Sequence, residues 1–352
     1  MHILHVVGAR PNFMKVAPVM RALSGRAGVR QVLVHTGQHY DAGMSAVFLE
    51  QLGIPEPDVN LAVGSGTHAQ QTGAIMTRIE PVLLEHRPDL VAVYGDVNST
   101  IAAALVSAKL GIRVAHVEAG LRSFDRTMPE EINRIVTDQL ADILLTPSND
   151  ADANLLREGI DATKIRCVGN VMIDTLVRLL PCAKERVPPD IPERFALVTL
   201  HRPSNVDNPA VLERIMSALY SMSDRIAVLF PVHPRTRARL NGCGRSSGHL
   251  RLLDPLPYID FLGLQQRATV VITDSGGIQE ETTYLGVPCL TVRENTERPI
   301  TVTMGTNTLV GTDTDILCRE MEKILSGDAK RGTTPPLWDG RAGQRIAGEL
   351  CG

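Results

Sequence analysis

The sequence predicts an α/β protein built from two Rossmann-like, doubly wound lobes that face a cleft. Three observations point there. Apolar strand-like runs alternate with helical runs from the first residue, a proline-rich stretch interrupts the alternation, and the alternation then restarts; the 352 residues exceed the usual size of one core. Residues 2–8 read as a strand, 14–23 as a helix and 31–35 as a strand. Residues 70–85 are helical, 90–94 a strand and 100–110 a helix, followed by strand 113–117, helix 130–140 and strand 143–146. Strands spaced this way and joined by crossover helices lie parallel. Pro181, Pro188, Pro189 and Pro192 then mark a linker, 181–194, between a first lobe, 1–180, and a second, 195–339. In the second lobe 195–200, 226–231, 250–253, 269–273 and 289–292 read as strands. A last helix, 340–352, follows another proline-rich stretch and is able to cross back to the first lobe. Ligands of such lobes lie at the C-terminal ends of the strands.

Composition narrows the class. A net charge of −3 and an aromatic share of 3% argue against nucleic-acid binding, which needs a basic face or stacking platforms. The cysteines Cys167, Cys182, Cys243, Cys289, Cys318 and Cys351 form no C-x-x-C pair, so they read as reduced, space-filling thiols of a cytoplasmic protein. No Cys/His cluster calls for a metal, and no run approaches the ~20 apolar residues of a membrane span.

The strand ends carry the chemistry. Thr273-Asp274-Ser275-Gly276-Gly277-Ile278-Gln279-Glu280-Glu281 is a strand, a turn and a helix start, which places free backbone N–H groups where a phosphate is favoured. Glu281 would repel a phosphate and suits a sugar hydroxyl, so the pair of features suggests a nucleotide; an ordinary turn with Ser275 as N-cap is the plainer reading. Arg10 and Lys15 follow the first strand and are able to meet a diphosphate. Asp96 is either a helix cap or a spare carboxylate at the cleft. Glu118 ends an apolar strand on the same face as His116, where a carboxylate is costly unless used or paired, and Arg122 is the structural partner to hand. Glu130 and Arg134 have the spacing of a helix ion pair. Three carboxylates gathered on one edge would shift one another's pKa and suit acid/base work. His201, with Arg202 beside it, and His233 each stand at a strand end of the second lobe, where Leu256-Pro257-Tyr258-Ile259-Asp260-Phe261 offers an aromatic for a nucleobase and Arg298 a further cation.

This set of motifs, in this order, resembles the non-hydrolysing UDP-N-acetylglucosamine 2-epimerases. The resemblance runs through Gly8-Ala9-Arg10-Pro11, Thr36-Gly37-Gln38-His39, Gly95-Asp96, His116 to Arg122, Pro129 to Arg134, His201-Arg202, Pro231 to Pro234, Thr273 to Glu281, Thr296 to Pro299 and Gly311 to Asp313. It implies the glycosyltransferase type B fold, a homodimer, no cofactor, and conversion of UDP-GlcNAc to UDP-ManNAc through loss and re-addition of UDP. It further implies a catalytic set of Asp96, Glu118, Glu130, Arg134 and His201. Substrate binding would fall to Arg10, Lys15, Arg202, His233, Leu256, Phe261, Ser275, Gly276, Gly277, Glu281 and Arg298. The likeness breaks where some bacterial members hold a second UDP-GlcNAc as an activator: Tyr40-Asp41 follows Gln38-His39, and no arginine lies between Asn60 and Thr77. A modified UDP-GlcNAc as substrate, a hydrolysing epimerase, a retaining glycosyltransferase and a non-enzymatic nucleotide-sugar sensor are the rival readings.

Overall fold

A computed structural model describes residues 1–37, 48–232, 234–240 and 249–352. The chain forms two compact units, Met1–Thr175 with Pro336–Gly352, and Leu176–Pro335. In the first, β1 (His2–Val7), β2 (Arg30–His35), β3 (Val59–Asn60), β4 (Leu90–Tyr94), β5 (Arg113–Val117), β6 (Ile143–Thr146) and β7 (Ile165–Cys167) form a sheet in the order β3-β2-β1-β4-β5-β6-β7. Every neighbouring pair is parallel. The order reverses between β1 and β4, the switch point at which such sheets bind ligands. The edge strands β3 and β7 escaped the sequence reading because two or three residues show no periodicity.

In the second unit, β8 (Phe195–Thr199), β9 (Ala227–Pro231), β10 (Leu250–Leu253), β11 (Val270–Thr273), β12 (Cys289–Thr291) and β13 (Asn307–Leu309) pair in the order β10-β9-β8-β11-β12-β13, all parallel. Alternation along β8 sends Ala196 and Val198 into one buried cluster and Phe195 and Leu197 into another, so the sheet is covered on both faces. The switch point here lies between β8 and β11.

One boundary differs from the sequence reading. The helix Val171–Glu185 runs straight through Pro181, so the stretch 181–194 read as a linker begins as helix. Leu176, Leu179 and Ala183 are buried along one face of that helix, and this burial outweighs the hydrogen bond that a proline cannot donate.

Residues 336–352 return to the first unit. Trp338 is buried, and its indole N–H donates to Pro147 O at 3.0 Å. The Asp174 carboxylate accepts from the amides of Ala342 (3.0 Å) and Gly343 (2.7 Å), which caps the N-terminus of the last helix, Ala342–Cys351. That helix packs on the helix Arg10–Ser24 and buries Ile346, Ala347 and Leu350. Among the described residues no helix is long and apolar enough to cross a membrane.

Candidate active site

In the first unit the polar groups gather at the ends of β1, β4 and β5. After β1 the chain enters the helix Arg10–Ser24 with no side-chain cap. Asn12 reaches back instead: its Oδ1 accepts from the amides of Gly8 (3.0 Å) and Ala9 (2.9 Å), and its Nδ2 donates to Tyr94 O. This ties the β1 turn to the end of β4. One turn on, buried Lys15 donates to Glu118 Oε1 at 2.7 Å. Gly95, at φ +64°, makes room for the pair, because a Cβ there would lie 2.6 Å from Lys15 Nζ.

Glu118 itself has φ +73°, a left-handed conformation that a side chain of its kind seldom adopts and that costs about 1–3 kcal/mol. Its amide and that of Ala119 both donate to Leu145 O, so the strand turns out of its pleat at this residue. The structural partner suggested by the sequence is not used: Arg122 binds Asp138 and Glu158, while Glu118 holds Lys15. The buried His116 ring is held at both nitrogens, Nε2 lying 2.8 Å from Gly95 O and Nδ1 2.6 Å from Asp138 Oδ1. Burial opposes a charge on Asp138, but the His116 ring and the Arg122 guanidinium outweigh it and hold the carboxyl below its usual range. Asp138 also accepts from the Gly120 amide, so it braces the whole segment from His116 to Arg122.

Asp96 is not the helix cap, a position taken by Val97. Its carboxylate is bound by Arg134 Nη1, and its carbonyl by Asn133 Nδ2. Arg134 does not pair with Glu130. Its other face is gripped by buried Glu131, at 2.7 and 3.0 Å, which also accepts from the amides of Ser123 and Phe124. Burial disfavours the charge on Glu131; the Ser123 amide and Arg134 overcome this and lower its pKa. Glu130, the preceding residue, is half-buried. Arg10 is exposed, with its guanidinium 4.6 Å above the Phe48 ring.

In the second unit a buried carboxylate organises the ends of β8 and β11. Asp274 is fully buried and accepts from the amides of His201 (3.1 Å) and Arg202 (2.9 Å) and from Asn205 Nδ2 (3.0 Å). The exposed His201 ring places Nδ1 2.9 Å from Asp274 Oδ1. Burial works against the Asp274 charge, but His201, the Arg202 amide and Asn205 prevail and depress its pKa. Arg202 Nε in turn donates to Asp274 O.

Ser275 occupies the N-cap position of the helix Gly276–Leu285, but its hydroxyl makes no capping bond, contrary to the plain reading of the turn. At Gly276 a Cβ would lie 2.4 Å from Arg298 Nη1 and 2.5 Å from Glu297 Oε1. Arg298 is buried and held by Glu280 (2.8 Å) and Glu297, the latter also bound by Arg293. Glu281 is buried and accepts from the Tyr258 hydroxyl at 2.7 Å; burial first, and neighbouring Glu280 after it, push its pKa up to about 7. Tyr258 therefore serves a carboxylate through its hydroxyl. Leu256 and Phe261 are half-buried against the cluster around Phe195. His233, Cys243 and the Gln38-His39 pair lie outside the described residues. No group of three or more metal-ligating side chains occurs among the described residues.

Doubly wound parallel sheets with polar strand ends, twice over in one chain, are the architecture of the glycosyltransferase type B class. A lipopolysaccharide outer core galactosyltransferase shares the fold at a TM-score of 0.55 and 17% identity, over 94% of this chain and 92% of its own. Residues 21–350 match the UDP-N-acetylglucosamine 2-epimerase family, and the chain belongs to it, a family of isomerases. The UDP-N-acetylglucosamine 2-epimerase of Methanocaldococcus jannaschii is 42% identical over 97% of this chain and 96% of its own. Its crystal structure in complex with UDP-GlcNAc and UDP matches with a TM-score of 0.91, covering 100% of this chain and 99% of that one. A UDP-2,3-diacetamido-2,3-dideoxy-D-glucuronate 2-epimerase of Pseudomonas aeruginosa is 43% identical over 100% of this chain and 99% of its own.

Proposed function

We propose that this enzyme interconverts UDP-GlcNAc and UDP-ManNAc by eliminating UDP across C1–C2 and adding it back after a proton has returned to the other face of C2. The observation that carries the reading is Glu118: a carboxylate kept in a left-handed backbone and bound to a buried lysine, with the Asp96–Arg134 pair at the end of the neighbouring strand. The C2–H of a sugar has no carbonyl to acidify it, so its removal has to be coupled to departure of the UDP anion. Asp96, Glu118, Glu130 and Arg134 supply the proton-handling side, and His201 assists the leaving diphosphate. The amides after Ser275, with Gly276, Gly277 and Arg298, receive the diphosphate; Glu281 receives the ribose, and Leu256 and Phe261 the base. Arg10, Lys15, Arg202 and His233 complete the binding set.

A second reading has a specific observation behind it. The P. aeruginosa relative, which acts on a 3-acetamido uronate, matches this chain as closely as the M. jannaschii enzyme does. A UDP-GlcNAc derivative altered at C3 and C6 is therefore the alternative substrate. One experiment addresses both: purified protein is given each UDP-sugar in D₂O with no added cofactor and followed by NMR. The accepted sugar should gain deuterium at C2, and an ¹⁸O label bridging C1 and the β-phosphate should scramble into non-bridging positions. Product that keeps its C2 hydrogen, without scrambling, would overturn the elimination route.

The turn makes its own prediction. In Gly276→Ala the new methyl displaces Arg298 and Glu297 from the helix start, and UDP affinity should fall by about 10-fold or more. Calorimetry on the folded variant checks this; an unchanged Kd removes the turn from the site.

A further inference from the structure

We propose that Tyr258 is a positioning residue for nucleotide recognition, its hydroxyl donating to Glu281 Oε1 so that Oε2 is turned toward the ribose hydroxyls. The inference rests on the reading of this unit as the UDP-binding one and names how that site tells a ribose from a sugar-poor anion. Three facts carry it. Glu281 is 2% exposed, yet its Oε2 has no hydrogen-bond partner among the described residues, a state that a buried carboxylate oxygen does not keep without a ligand or water to receive. Gln265, fully buried, lies near enough to favour the Glu281 charge, yet its side-chain amide completes no hydrogen bond of ordinary geometry among the described residues. The Tyr258 hydroxyl donates to Glu281 Oε1 at 2.7 Å from the start of the helix Tyr258–Arg267, and among the groups that favour the carboxylate's charge it comes first, ahead of Gln265.

The charged groups around Glu281 leave this role to Tyr258. Glu280, the neighbouring acid, is bound to Arg298, and Arg298 is shared with Glu297. No cation is given to Glu281 among the described residues, and burial favours its neutral form. A neutral carboxyl offers a diol one acceptor fewer than a carboxylate does. The Tyr258 hydroxyl favours the charged form and fixes which oxygen remains open.

The test compares UDP with 2′,3′-dideoxy-UDP, because the ratio of their affinities reads the ribose hydroxyls and cancels the phosphates. Calorimetry of the wild type, Tyr258→Phe and Glu281→Gln is run from pH 6 to pH 8. The wild type should prefer UDP by about 10-fold or more, in keeping with a hydrogen bond to a charged group. Tyr258→Phe should lose most of that preference at pH 7 and regain part of it at pH 8, with affinity for the dideoxy nucleotide unchanged. Glu281→Gln should lose it at every pH. A Tyr258→Phe variant that keeps the full preference while Glu281→Gln loses it overturns the role of Tyr258 alone. Equal binding of the two nucleotides by the wild type overturns the role of Glu281 as well, and failure of both to bind overturns the assignment of UDP to this unit. Equal losses for both nucleotides in Tyr258→Phe would mark the tyrosine as merely structural and sink the proposal.

Discussion

Glu118→Gln should turn over substrate about 10²-fold or more slowly while binding UDP normally. The substitution keeps the size and hydrogen-bonding reach of the side chain and removes only its charge. Lys15 then loses its carboxylate partner, but Asn12, Tyr94 and the Gly95 turn still hold the ends of β1 and β4 together. The left-handed backbone is untouched by the change, so the fold should survive. Single-turnover kinetics and UDP calorimetry on the same preparation separate the two effects. Near-normal turnover would reduce Glu118 to a structural mate of Lys15.

Asp274→Asn should be comparably severe, and for a reason that involves a different atom. Asp274 accepts hydrogen bonds only, and the His201 ring meets it with Nδ1, so it is Nδ1 that carries the donated proton. An asparagine amide would present an N–H to the same ring or to Asn205, and His201 would take the opposite tautomer. Geometry survives such a change while the proton is on the wrong nitrogen, an error that costs several orders of magnitude in hydrolases that use the same pairing. Here kcat should fall by about 10²-fold while KM changes little. Near-normal kcat would show that Asp274 only braces the loop.

The sequence showed the alternation of both sheets because their central strands are buried on two faces, and it showed the strand-end residues because a polar group directly after an apolar run has few structural excuses. Asp96, Glu118, His201 and the Ser275 turn were all legible on that ground. What it hid was the layer behind them. Asp138 and Glu131 look like any acids on an amphipathic helix; only the folded chain brings Asp138 against His116 and Glu131 against the Ser123 and Phe124 amides. For the same reason Glu130 was given the partner that belongs to its neighbour. Arg134 lies one turn from both acids, and spacing alone cannot separate i,i+3 from i,i+4. The positive φ of Glu118 had no signal at all, since positive φ is read from glycine and glutamate is not glycine.

The closing of the first unit by residues 336–352 has a consequence for how the protein is made. The last helix is docked on the first one and capped by Asp174, so the first unit to leave the ribosome is the last to be finished. Until residues 336–352 have been made, the apolar face of the helix Arg10–Ser24 that the last helix covers stands open, while the second unit already has its whole sequence. The nascent chain should therefore fold its middle ahead of its beginning, and loss of a handful of C-terminal residues would cripple the carboxylate-bearing unit that lies farthest from them in the gene.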